Sequence, residues 1–117
     1  MRILIVEDEP NIIESLSFLL TREGFSVASE KDGAEALAKV RAYQPHLVIL
    51  DVMLPNRSGF DILRELKSNG ATPKVLMLTA KGQAKDRLAA DDLGVDRFMT
   101  KPFANAEIIR AVKEMLA

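Results

Sequence analysis

The feature that most constrains this chain is the run Leu47-Val48-Ile49-Leu50, opened by His46, closed by Asp51 and followed by Val52-Met53-Leu54-Pro55. Four consecutive apolar residues, two of them β-branched, make a strand buried on both faces, and such strands belong to parallel sheets covered by helices. Asp51 stands where that strand ends. The carboxyl end of a central parallel strand opens into the crevice where α/β sheets place their ligands and chemistry. The rest of the chain is therefore read for what it brings to Asp51.

Ile3-Leu4-Ile5-Val6 is a second apolar run, and it ends in Glu7-Asp8-Glu9. Pro10 suits the first turn of a helix, where its missing N–H costs nothing. Ile12, Ile13, Leu16, Leu19 and Leu20 then recur at helical spacing, and Gly24 stands where a C-terminal cap belongs. Phe25, Val27 and Ser29 alternate with small or polar residues, as in a strand with one thinly covered face. Asp32-Gly33 turns the chain into a helix carrying Ala36, Leu37 and Val40, which reaches Gln44-Pro45. Beyond the Pro55-Asn56-Arg57-Ser58-Gly59 loop, Phe60, Leu63 and Leu66 mark a third helix that stops at Asn69-Gly70. Val75-Leu76-Met77-Leu78 is another wholly apolar strand and delivers Thr79-Ala80. A helix with a weak stripe, Leu88 and Ala89, leads to Leu93-Gly94, and the mixed strand Asp96-Arg97-Phe98-Met99-Thr100 delivers Lys101-Pro102. Asn105 is placed to cap a last helix whose apolar face is Ile108, Ile109, Val112, Met115 and Leu116.

Five strands each followed by a helix predict a (βα)5 α/β fold with a parallel sheet and right-handed crossovers. Continuously apolar strands one, three and four belong inside the sheet, and strands two and five at its edges. The expected order is 2-1-3-4-5, the flavodoxin-like three-layer winding, with its switch point between strands one and three. At 117 residues the chain has room for one domain, residues 1–117. Sixteen basic against 17 acidic side chains give no electrostatic footprint for nucleic acid. The absence of cysteine excludes disulfide, thiolate and zinc-ribbon chemistry. No apolar run approaches membrane-spanning length, and the first strand begins at Arg2, leaving no space for a signal peptide; a cytoplasmic location and no membrane contact are expected.

In a parallel sheet the loops after strands one, three, four and five open at one edge, and they supply Glu7 and Asp8, Asp51, Thr79 and Lys101. Converging carboxylates repel and raise at least one pKa unless a cation is present. Hard oxygen ligands of this kind suit Mg²⁺, which keeps several waters and pairs with phosphate. Lys101 adds a charge and Thr79 a hydroxyl, both suited to a phosphoryl group. Together these are the parts needed to place a phosphoryl group on Asp51. Taken singly, each has a bland reading: Glu9 caps the first helix and complements its dipole, a strand-ending Thr is a β-former, and a Lys before Pro is solvated. His46, at the opposite end of the central strand, reads as structural.

Ile-Leu-Ile-Val-Glu-Asp-Glu at the start, Leu-Val-Ile-Leu-Asp51-Val-Met-Leu-Pro with Gly59 eight residues on, Leu-Thr79-Ala80 and Thr-Lys101-Pro102-Phe103 resemble the receiver domain of bacterial two-component response regulators, over essentially the whole chain. The resemblance implies that Asp51 is the phospho-acceptor and that Glu7, Asp8, Asp51 and the main-chain carbonyl of Met53 hold Mg²⁺, with Mn²⁺ able to replace it. It makes Thr79 the switch hydroxyl, Phe98 the aromatic that reorients with it and Lys101 the cation facing the phosphate, and it implies a cis Lys101–Pro102 bond. The implied phosphodonor is a sensor histidine kinase or a histidine phosphotransfer protein, and the output is a downstream partner or a fused domain. Met53 and Lys81, two residues past the acceptor and the switch hydroxyl, carry no acid or amide to orient water, so slow self-dephosphorylation is expected. Receivers joined to winged-helix domains pair through the fourth helix, fifth strand and fifth helix. Here Arg97 stands where such relatives usually have Asp and Ala111 where they usually have Arg, which puts a phosphorylation-dependent homodimer of that kind in doubt. Arg87, Asp91, Asp92 and Arg110 read as solvated helix faces. The competing readings are an aspartate-nucleophile phosphatase, which normally has an acid where this chain has Met53, a flavin-binding module, and a docking receiver that ignores phosphorylation.

Overall fold

A computed structural model describes residues 1–68, 73–80 and 84–117. The chain runs β1 (Arg2–Val6), α1 (Pro10–Arg22), β2 (Ser26–Glu30), a 3-10 turn (Gly33–Glu35), α2 (Ala36–Tyr43), β3 (Leu47–Asp51), α3 (Gly59–Ser68), β4 (Lys74–Ala80), α4 (Ala84–Asp92), β5 (Arg97–Lys101) and α5 (Asn105–Leu116). All strand pairings are parallel and the order is β2-β1-β3-β4-β5, the expected winding. β1, β3 and β4 are almost wholly buried, whereas β2 is half-exposed along its length, so composition did separate centre from edge.

Only the step from β1 to β2 runs against the direction of the other crossovers. Right-handed connections therefore put α1 on one face and α2, α3 and α4 on the other, and α5, which follows the last strand, packs beside α1. The period-2 alternation of the strands divides the apolar residues to match. Ile3, Ile5, Leu47, Ile49, Leu76 and Leu78 pack with Leu16, Leu19, Leu20, Ile108, Val112 and Met115. Leu4, Val6, Val48, Leu50, Val75 and Met77 pack with Ala36, Leu37, Ile62, Leu63, Leu66 and Ala90. Each central strand thus feeds two cores.

Local chemistry differs from expectation at three element ends. Glu9 stands at the N-cap of α1 but its side chain makes no capping hydrogen bond. The loop is tied instead by Glu7, whose Oε2 accepts from the N–H groups of Asp8 (3.0 Å) and Glu9 (3.1 Å). At α5 the N-cap is Ala104, not Asn105, and the Glu107 carboxylate reaches back to the Ala104 N–H at 3.1 Å. β5 begins at Arg97, because the Asp96 carboxylate is occupied by the Val75 N–H (2.7 Å) and by Lys67 Nζ (2.6 Å). His46 has the structural role expected of it: its Nδ1 accepts from the Arg2 N–H at 2.9 Å. The expected stop of α3 at Asn69-Gly70, and Lys81, lie outside the described residues.

Candidate functional site

β1 and β3 are neighbours, with Val6 opposite Leu50, so the residues that follow them meet at the carboxyl edge of the sheet. There one carboxylate oxygen each from Glu7, Asp8 and Asp51 lies within 4.8 Å of the others. Glu7 and Asp51 are buried while Asp8 is exposed, so the cluster opens to solvent on the Asp8 side. From β5, Lys101 Nζ reaches Glu7 Oε1 at 2.7 Å and Asp51 Oδ1 at 3.3 Å. The Lys101–Pro102 peptide is cis.

The electrostatics follow from this crowding. Burial and the neighbouring Glu7 charge push Asp51 up from its ordinary 3.8 to about 6, against the pull of Lys101. Burial acts on Glu7 in the same direction, but the Lys101 hydrogen bond and the Glu9 N–H outweigh it and hold Glu7 below its usual range. Lys101 is raised, because its hydrogen bond to Glu7 and the Asp51 charge overcome the cost of its own burial. Glu7 and Lys101 thus form the settled ion pair, and Asp51 carries the unrelieved charge. Three acids against one ammonium leave a surplus of negative charge, and the donors are all hard oxygens. That set fits a divalent cation of the Mg²⁺ type better than a soft metal.

Thr79 is placed differently. It is 1% exposed, and its Oγ1 donates to Asp86 Oδ2 on α4 at 2.9 Å. The alternation that buries Val75 and Met77 under the second core carries Thr79 to the same side, which sequence spacing alone did not reveal. Phe98, opposite Met77 in the register, is buried in that core, and the Arg87 guanidinium lies 5.7 Å from its ring centroid. Arg87 is therefore more than a solvated residue of a helix face, whereas Asp91, Asp92 and Arg110 are exposed. Met53 is 76% exposed beside Asp51. Arg97 is held within the chain by Glu114 at 2.7 Å, and Ala111 is buried in the underside of α5.

Two loops fix the position of the acceptor strand's end. A Cβ on Gly59 would meet the Asp51 carbonyl oxygen at 2.1 Å, so α3 can start against β3 only without a side chain there. A Cβ on Gly33 would meet the Arg57 carbonyl at 2.3 Å, and Asn56 Nδ2 donates to Asp32 Oδ1 at 3.0 Å, which joins the β2–α2 turn to the loop after Asp51.

A doubly wound α/β sheet with an acidic, lysine-bridged cluster at its switch point defines a class of small α/β domains that work at the carboxyl edge of the sheet. Comparison with known proteins is more specific: residues 3–113 match the model of the response regulator receiver domain, and the chain belongs to that family. It is 40% identical over 114 residues to the probable transcriptional regulatory protein TcrX of Mycobacterium tuberculosis, covering 97% of this chain and 49% of the relative. It is also 40% identical over 115 residues to the alkaline phosphatase synthesis transcriptional regulatory protein PhoP of Bacillus subtilis, covering 98% and 48%. The chain spans about half the length of these curated relatives. A crystal structure of a putative response regulator from Chloroflexus aurantiacus superposes with a TM-score of 0.92 at 31% identity, covering 98% of this chain and 96% of that one. The BeF3-activated receiver domain of Klebsiella pneumoniae RstA, at 23% identity, shares the fold with a TM-score of 0.93 over 99% and 98% of the two chains. Receiver domains are signalling switches. Among the described residues no helix is long and apolar enough to cross a membrane.

Proposed function

We propose that residues 1–117 act as a phosphorylation-controlled receiver in which Asp51 is the phospho-acceptor. The observation that carries this reading is the convergence of Glu7, Asp8 and Asp51 within 4.8 Å, with Lys101 Nζ 3.3 Å from Asp51, at the carboxyl edge of the sheet. A histidine kinase or phosphotransfer protein presents phosphohistidine. Asp51 Oδ attacks the phosphorus, the P–N bond breaks, an acyl phosphate forms, and the imidazole leaves neutral, its bonding pair from the P–N bond kept on that nitrogen and the proton already on its other ring nitrogen retained. Glu7, Asp8, Asp51 and the Met53 carbonyl would hold Mg²⁺, which neutralises phosphoryl oxygens; Mn²⁺ would substitute. Lys101 faces the phosphoryl oxygens on the other side. Thr79 and Phe98 respond to the charge that arrives, roughly −1.5 to −2 by analogy with other phospho-residues, and they pass it to α4 and β5.

The relatives named above are transcriptional regulators, and this chain matches about half of each. We therefore read its output as control of an attached or separate partner in the bacterial cytoplasm. Incubation with acetyl phosphate and Mg²⁺ should add one phosphate by intact-mass spectrometry, and Asp51→Asn should abolish it. A stoichiometric phosphate on the variant would refute the assignment.

A further inference from the structure

The Thr79 hydroxyl has one proton to donate. It gives that proton to Asp86, the third residue of α4, at 2.9 Å, in a place too buried for water to serve instead. A carboxylate is a strong acceptor, so the bond is charge-assisted. The next residue, Arg87, lies over Phe98. Successive residues of α4 therefore hold the two side chains, on adjacent strands, that face the second core at the switch edge. α4 has little else to hold it: Ala90 is its one fully buried residue among those described.

We propose that Asp86 is a positioning residue that keeps Thr79 turned toward α4, and that a phosphoryl group on Asp51 takes Thr79 only by winning its proton from Asp86. The proposal rests on the reading of Asp51 and Thr79 given above. Two effects act together once the phosphoryl group is present. Its oxygens compete for the single hydroxyl proton, and its charge has the same sign as the Asp86 carboxylate. When Thr79 leaves, Asp86 loses the partner that holds the first turn of α4 against β4, and that turn is released. Phosphorylation is thereby converted into movement of α4 through a choice between two acceptors for one proton. Removing the resting acceptor should lower the cost of the phosphorylated arrangement and tighten binding of anything that mimics it.

Beryllofluoride, a non-covalent analogue of the phosphoryl group, provides the test when titrated calorimetrically into the chain in the presence of Mg²⁺. Asp86→Ala should bind it roughly tenfold more tightly than the unsubstituted chain, as expected if one charge-assisted bond must otherwise be exchanged. Asp86→Asn, which keeps the size of the side chain and a weaker acceptor, should fall between the two. In a Thr79→Val background the hydroxyl is absent, and Asp86→Ala should change nothing. An unchanged or weaker affinity in both Asp86 variants, or the same gain in the Thr79→Val background, would overturn the proposal while leaving Asp51 as acceptor. If the unsubstituted chain shows no beryllofluoride binding that Asp51→Asn removes, the acceptor reading falls, and this inference with it.

Discussion

At the scale of single residues, the site works by leaving one charge unsatisfied. Lys101 could neutralise either acid, but at 2.7 Å it is committed to Glu7 and at 3.3 Å it only assists Asp51. Burial and the Glu7 charge therefore raise Asp51 to about 6, and Lys101 offsets them only in part. Because the folded protein binds this proton more tightly than the unfolded chain, ionising Asp51 costs stability. The penalty is absent below about 3.8 and fully present above about 6. Asp51→Asn should therefore stabilise the metal-free protein at pH 8 by about 3 kcal/mol, with the gain fading toward pH 4. Urea unfolding in EDTA at both pH values checks this. Acids clustered after β1 and β3 could be read from sequence because topology alone brings those loops together. That Glu7 rather than Glu9 ties the loop could not, because it depends on which carboxylate points inward.

At the scale of elements, the helices are unequally secured. α5 buries Ile108, Ala111, Val112 and Met115, whereas α4 buries Ala90 and relies on the polar contacts of Asp86 and Arg87. Hydrogen exchange should accordingly be faster for the amides of α4 than for those of α5 at matched intrinsic rates, since few buried contacts mean low local opening energies. α3 is fixed at its start by the closeness of Gly59 to the Asp51 carbonyl. Gly59→Ala would drive the new Cβ into the Asp51 carbonyl oxygen, which is backbone and cannot turn aside, and should destabilise the protein by about 2 kcal/mol or more. A shift in the urea midpoint measures the loss. The sequence read a weak apolar stripe on α4 at Leu88 and Ala89, whereas the residue this helix buries, among those described, is Ala90. Leu88 itself is 68% exposed. Arg97, on β5, is occupied by Glu114 of α5 within the chain, so its charge is not free to pair across a dimer interface.

At the scale of the whole molecule, the two cores share the central strands, and the crevice at their carboxyl ends is the place where charge accumulates without compensation. A cation bound there should stabilise the entire fold. Mg²⁺ at 100 times its dissociation constant should add about 2.7 kcal/mol, seen as a rise in melting temperature. Asp8→Asn should remove most of the rise while leaving the metal-free melting temperature nearly unchanged, because Asp8 is exposed. An equal Mg²⁺ effect in the variant would show that the ion acts elsewhere.

What the sequence by itself determined was the sheet and its edge. The uninterrupted runs Ile3–Val6, Leu47–Leu50 and Val75–Leu78 suit strands covered by helices on both faces, and the mixed composition of the other two strands marked them as edges, which gave 2-1-3-4-5 as the expected order. That order placed Glu7, Asp8, Asp51, Thr79 and Lys101 at one end of the sheet. Tertiary structure decided how those side chains divide. Strand alternation and the packing of α4 directed Thr79 to Asp86, and Lys101 settled on Glu7 rather than Asp51, because a buried group takes the partner its backbone can reach. Spacing along a chain says which residues share an edge; only packed backbones say which pair forms.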